Sequence, residues 1–87
     1  MPVPARRLKF TRLENEVRIN ARGLSVPGPR LMTAAALERG RPDFLRVVVS
    51  SNAAAEDVRA YLASCGASVE VDGVGAEFHV LARFPSR

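Results

Sequence analysis

The 87-residue sequence contains few of the residue types on which several classes of protein depend. Its single cysteine excludes an internal disulfide, and one cysteine with one histidine is too few for a Cys/His zinc site. No apolar run approaches the ~20 residues that cross a bilayer, and the early basic residues are not followed by the apolar segment of a secretory signal. Tryptophan is absent and aromatic residues make up 6%, so few rings can stack on single-stranded nucleic acid. We therefore expect a small cytoplasmic domain without metal, cofactor or membrane contact.

Arginine supplies most of an uneven positive charge. The formal net charge is +4, but residues 1–46 carry +6 and residues 47–87 carry −2. An electropositive half attracts acidic partners, although a solvated surface with a basic tail explains the same asymmetry. The cluster Arg6, Arg7, Lys9 and Arg12 leaves weak binding of RNA or another polyanion as one alternative, which would be sensitive to salt.

Length and composition are those of one globular domain. Apolar residues make up 47% of the chain and charged residues 25%. We divide the chain into a basic N-terminal extension, residues 1–16, and a domain, residues 17–87. In the extension Leu8 and Phe10 alternate with basic residues, so it is predicted to be either a tail or an extra edge strand.

Alternating and β-branched segments predict four strands. Residues 17–21 alternate apolar and polar side chains, and residues 44–50 form a nearly continuous β-branched run typical of a central strand. Residues 68–72 alternate again, and a turn at residues 73–75 leads into a last strand over residues 77–84. This last strand should place four apolar side chains on one side: Phe78, Val80, Ala82 and Phe84.

Two further segments have helical character. Residues 30–39 are rich in alanine, with prolines at the start and Gly40 at the end. A second helix is predicted from a cap at Ser51 or Asn52 to about Cys65, with Gly66 ending it.

The predicted order is therefore β-α-β-α-β-β, an α+β fold. Right-handed crossovers place both helices on one face of a mixed four-stranded sheet, which gives a two-layer α/β sandwich with the other face open. Val17, Ile19, Val69 and Val71 should face the helices, and the alternate side chains should face outward. We interpret His79 as a solvated residue of the open face, because no nucleophile near it in sequence would make it a catalytic base.

One stretch resembles a known family. Residues 20–29, Asn-Ala-Arg-Gly-Leu-Ser-Val-Pro-Gly-Pro, are followed by Leu31, Thr33, Ala36 and Leu37. Residues 51–58 and 66–69 lie where this family keeps similar segments. This pattern resembles the TusA-like sulfur-carrier domains (SirA/YedF/TusA-like), especially the TusA-like part of YedF proteins. The resemblance covers roughly residues 17–84. It implies the same β-α-β-α-β-β fold, a sulfur-carrier or sulfurtransferase activity, and a protein partner of sulfur or selenium metabolism.

The sequence departs from that family at the residue that carries the chemistry. The family motif is Cys-Pro-x-Pro, and its cysteine holds sulfur as a persulfide. Here the motif remnant is Val26, Pro27, Gly28 and Pro29. Valine has no lone pair and cannot form a persulfide. The resemblance therefore implies a degenerate site with no catalytic residue, and a non-catalytic binding or accessory module.

The remnant still offers a possible docking or anion-binding site. Because its prolines have no N–H, we expect Gly28 and Arg30 to provide free donors at the helix start, with Arg22 adding positive charge. Gly23 and Gly28 would let a partner backbone approach closely. The alternative is that the prolines only start the helix and Val26 packs against it as a hydrophobic staple.

A further alternative is a working sulfurtransferase that uses Cys65. Position 26 precedes the first helix, whereas Cys65 ends the second, so the two should lie at opposite edges of the sheet, about 18–20 Å apart. Cys65 also belongs to an apolar stripe, and a buried thiol at a negative helix end is a poor thiolate. A role in the core explains Cys65 more simply.

Overall fold

Four strands and two helices follow one another in the order β-α-β-α-β-β in the computed structural model, which describes residues 16–85. The strands are β1 (Glu16–Asn20), β2 (Phe44–Val49), β3 (Ser68–Val74) and β4 (Glu77–Arg83), and the helices are α1 (Gly28–Glu38) and α2 (Asn52–Ser64). The predicted α+β class and element order are confirmed. The predictions of a basic tail, a polyanion site or an extra strand fall on residues 1–15, outside the described residues.

Capping residues set the ends of both helices. The Ser51 hydroxyl accepts a hydrogen bond from the N–H of Ala54 at 3.1 Å, which confirms the predicted cap of α2. Gly40 and Gly66 follow the two C-caps with positive φ values of 132° and 95°, a conformation that favours glycine. Helix α1 begins at Gly28, two residues earlier than predicted, because Pro29 is compatible with a first helical turn.

The strand order is β1-β2-β4-β3, with β1 parallel to β2 and β4 antiparallel to both of its neighbours. Strands β1 and β3 are therefore the sheet edges. Because α1 follows β1 and α2 follows β2, both helices start at the carboxyl ends of their strands. The turn between β3 and β4 lies at the same end, since Val74 pairs with Glu77. We call this end of the sheet the carboxyl edge.

The core lies between the two helices and one sheet face. It includes the inward face of β4 that the alternation predicted, with Val80 and Ala82 buried. Its largest fully buried side chains come from β2, α2 and β4: Leu45, Val47, Val49, Val58, Leu62 and Val80. Val17 and Val71 lie on the same side of the sheet but remain 41% and 36% exposed, because they belong to edge strands that the helices cover poorly.

Candidate functional site

The loop between β1 and α1, residues 21–27, is tied to the end of β2. We call it the proline loop. The N–H of Ala21 donates to the carbonyl of Val48 at 2.9 Å, and the N–H of Gly23 donates to the hydroxyl of Ser50 at 2.9 Å. Gly23 has φ +82°, so a side chain there would strain the backbone. These bonds fix the loop at the carboxyl edge, and the contribution of Ser50 was not predicted from sequence.

The entry into α1 is closely packed. The Val26–Pro27 peptide bond is cis. Pro29 and Thr33 are both buried, and the Thr33 hydroxyl donates to the Pro29 carbonyl at 2.8 Å. A Cβ at Gly28 would lie 3.3 Å from the Cβ of Leu24, so this glycine permits a close approach within the chain itself.

One of the two expected anion donors is engaged. The N–H of Gly28 donates to the Ser25 carbonyl at 2.8 Å. The expectation of a free donor at Gly28 is therefore wrong, because the proline loop folds back and uses this N–H to close its own turn. The anion-binding interpretation is correspondingly weaker.

The arginines on either side of the motif remnant are also paired. Arg22 Nη1 lies 3.0 Å from Glu77 Oε2 on β4, and Arg30 Nε lies 3.1 Å from Asp57 Oδ2 on α2. Both guanidinium groups keep partial exposure, at 51% and 39% of their side chains. Each is therefore still accessible, but its charge is balanced by a neighbouring carboxylate.

Apolar side chains, rather than charges, dominate the exposed surface around position 26. Four large hydrophobic residues are between 40% and 56% exposed here: Leu24, Val26, Leu31 and Met32. We call this set the loop patch. Val26 is 44% exposed and Leu31, at the staple position of α1, is 56% exposed, so the pair is not buried as a hydrophobic staple would be. Exposed apolar patches commonly mark contact sites.

The open face carries a connected polar network that sequence patterning did not predict. Arg46 Nε lies 3.2 Å from Glu16 Oε2, and Arg46 Nη1 lies 3.0 Å from His79 Nδ1. His79 Nε2 lies 3.2 Å from Glu77 Oε1, and Glu77 also holds Arg22. The network thus links the centre of the open face to the proline loop.

His79 is therefore not the solvated residue that we predicted, because its side chain is 16% exposed. An arginine N–H can only donate, so His79 Nδ1 accepts the bond from Arg46 and the proton of the neutral ring lies on Nε2, where it donates to Glu77. Contacts between β2 and β4 of this kind depend on strand pairing, which the sequence did not reveal.

Cys65 lies far from the proline loop. It is the C-cap of α2 and packs against the core, whereas position 26 lies at the carboxyl edge where α2 begins. Thirteen residues of helix separate the two ends, about 20 Å. Burial, and then a hydrogen bond with the Cys65 side chain, raise the pKa of Tyr61 above its ordinary value. The predicted separation of Cys65 from position 26 is confirmed.

Residues 16–85 contain neither a metal-binding cluster nor a membrane-spanning helix. No group of three or more His, Cys, Asp or Glu side chains is arranged to hold a metal ion in this part of the chain. None of the helices described there is long and apolar enough to cross a membrane.

The fold and the proline loop agree with a family match. Two helices on one face of a mixed four-stranded sheet, with a proline-rich entry into the first helix, define a two-layer α+β sandwich. The family model described as sulfurtransferase TusA matches residues 17–83. The chain belongs to the TusA family.

A solved structure shows the same architecture. The crystal structure of a SirA-like protein from Desulfitobacterium hafniense superposes with a TM-score of 0.69 at 17% sequence identity, covering 79% of this chain and 97% of that chain. At this identity the likeness concerns the fold. A comparison with curated proteins gave no significant match.

Proposed function

We propose that residues 17–87 form a TusA/YedF-like domain that lacks the persulfide-forming cysteine and acts as a cytoplasmic, non-catalytic binding or accessory module. Its partner would be a protein of sulfur or selenium metabolism. Membership of the TusA family supports the link to sulfur relay. The link to selenium metabolism and the relation to YedF proteins rest on the resemblance of residues 20–37 alone.

The observation that carries this proposal is the exposed isopropyl group of Val26. Its side chain is 44% exposed beside the start of α1, where the resemblance places the sulfur-carrying cysteine. A thiol there would be accessible, and the positive end of the helix dipole would favour its thiolate. Valine keeps the accessibility and loses the nucleophile, so the loop retains a surface for contact without the atom that accepts sulfur.

Cys65 does not replace the missing nucleophile in this proposal. Its thiol is next to the Tyr61 hydroxyl, and the nearby Arg41 donates to the Cys65 backbone carbonyl at 3.0 Å rather than to the thiol. A reactive cysteine needs an electropositive and accessible setting. Cys65 instead sits at the negative end of α2, half-buried against the core.

The loop patch is the proposed docking surface. Its apolar side chains, from the proline loop and the start of α1, supply the contact area. Ser50 bonds to the backbone of the loop, and Glu77 pairs with the Arg22 side chain. Arg22, Gly23 and Arg30 lie around these apolar side chains, where the arginines would contribute orientation more than affinity because each is already paired.

The non-catalytic part of the proposal predicts that the chain does not accept sulfur. We expect no protein-bound sulfane sulfur after incubation with a cysteine desulfurase and labelled cysteine, measured by mass spectrometry of the intact chain. Cys65→Ser supplies the baseline, since it has no thiol. Label on the unmodified chain that disappears in Cys65→Ser would instead identify a sulfurtransferase that uses Cys65.

The docking part predicts a specific loss of partner binding. Leu31→Ser should reduce the partner retained by the immobilised domain by about tenfold, because a polar group would replace exposed apolar contact area at the centre of the loop patch. Val17→Ser is the matched control, since Val17 is also 41% exposed but lies on edge strand β1. If alanine at Arg22 and Arg30 abolished retention while Leu31→Ser did not, docking would be electrostatic and the apolar assignment would be wrong.

A further inference from the structure

The strand pairing places the side chains of the open sheet face in transverse rows, each running β1-β2-β4-β3. The middle row consists of Arg18, Arg46, Leu81 and Glu70. The row nearer the carboxyl edge consists of Asn20, Val48, His79 and Asp72, and the row on the other side consists of Glu16, Phe44, Arg83 and Ser68. No described helix covers this face, since both pack on the other one.

Charge is distributed unequally between the two edges of these rows. Arg18 on β1 and the pair Glu70 and Asp72 on β3 are exposed, and none of the three forms an ion pair with another described residue. One edge of the face is therefore basic and the other acidic. In the middle row, Arg18 and Glu70 lie at equal distances on either side of the sheet centre, because β1 and β3 are the two outer strands.

We propose that two copies of this chain associate through their open faces. The twofold axis that relates them lies between the two facing sheets, parallel to the strands and in line with the gap between β2 and β4. This rotation places β1 of one copy over β3 of the other. Each transverse row of one copy then faces the same row of the second copy. Arg18 then faces Glu70 of the second copy, and Asn20 faces Asp72. In the third row Arg83 faces the ring of Phe44, a cation–π arrangement. No row brings like charges together.

The charges also favour this axis over one perpendicular to the strands. A twofold axis between the sheets but perpendicular to the strands would place each strand over the same strand of the second copy. Arg18 would then lie over Arg18 of the second copy and Glu70 over Glu70, so like charges would repel. Two sheets that pack face to face keep their strands within about 30° of alignment, which the proposed axis allows.

The centre of the face can be covered without leaving unpaired charges. Arg46, His79 and Glu77 already bond to one another or to Glu16 and Arg22. Burying a polar group is costly chiefly when its partners are missing, and here they come from the same chain. Leu81 lies half-buried in the middle row and would gain apolar contact.

The size of the face limits the strength of this association. Four strands about 4.8 Å apart, each covering about 20 Å, present roughly 400 Å² per copy, about half of what a stable complex buries. The pair should therefore be weak, dependent on concentration and sensitive to salt. The inference uses the open face and not the loop patch, so it stands independently of the proposed function.

Sedimentation equilibrium of the full chain at low ionic strength, at concentrations up to about 1 mM, tests this pairing. Arg18→Glu alone and Glu70→Arg alone should each weaken self-association by more than about tenfold, because two like-charge contacts replace two attractive ones. An equimolar mixture of the two variants should associate again, since every contact in a mixed pair joins opposite charges. That restoration is the decisive result, because a general loss of folding or solubility would not produce it.

Controls separate this face from other surfaces. Glu38→Arg reverses an exposed charge on α1, in the helix layer, and should leave self-association unchanged. Thermal melting should show that both single variants remain folded. A chain that stays monomeric at every concentration would overturn the proposal, and so would a mixture that fails to restore association. Association abolished by Leu31→Ser would place the contact on the loop patch instead, and it would also overturn the proposal.

Discussion

Val26→Cys should convert this chain into a sulfur acceptor. In a Cys65→Ser background, the new thiol would lie at the exposed position beside the start of α1, where the helix dipole stabilises a thiolate. We expect its pKa to be at least about one unit below the ordinary value near 8.5. Incubation with a cysteine desulfurase and labelled cysteine should raise protein-bound sulfur from background to near stoichiometric. The pH dependence of alkylation gives the pKa, and mass spectrometry gives the persulfide.

Leu31→Cys in the same background is the matched control for this gain. Leu31 is 56% exposed and belongs to the same loop patch, but it lies one turn inside α1. Its thiol should be alkylated with an ordinary pKa and should take up little sulfur. Equal labelling at both positions would show that accessibility alone suffices. A folded Val26→Cys chain without label would show that the proline loop does not have the geometry for sulfur transfer.

Leu62→Ala should strongly destabilise the fold. Leu62 is fully buried on α2 and packs in the core cluster. Removing a buried leucine side chain costs about 2–5 kcal/mol, through lost apolar burial and the cavity that remains. For a domain of this size that loss is a large part of the free energy of unfolding. Urea denaturation followed by circular dichroism measures it.

Leu31→Ala makes the same chemical change at a leucine that is 56% exposed, also within a helix. Its free energy of unfolding should change by less than about 0.5 kcal/mol, since surface substitutions seldom do more. Similar losses at Leu62 and Leu31 would mean that the loop patch is not solvent-exposed. That result would also remove the structural basis for docking at the proline loop.

Much of the site could be located from the sequence, but its electrostatics could not. The breaker cluster around Pro27 and Pro29 correctly predicted a loop followed by a helix, because proline and glycine act locally. Whether Arg22 and Arg30 are ion-paired depends on Glu77 and Asp57, which lie far from them along the chain. Sequence analysis therefore treated the arginines as free charges, whereas the fold balances both of them.

The nature and order of the elements were determined by local sequence. Apolar alternation, the Ser51 cap and the glycines after each helix act within a few residues, so they specify β-α-β-α-β-β without knowledge of the whole. That position 26 is a valine is likewise visible in the chain alone. Only the tertiary structure decided the strand order β1-β2-β4-β3, the partners of His79 and the alignment of Arg18 with Glu70. These depend on pairings between distant segments, whose energies come from packing and electrostatic contacts that exist only once the sheet has formed.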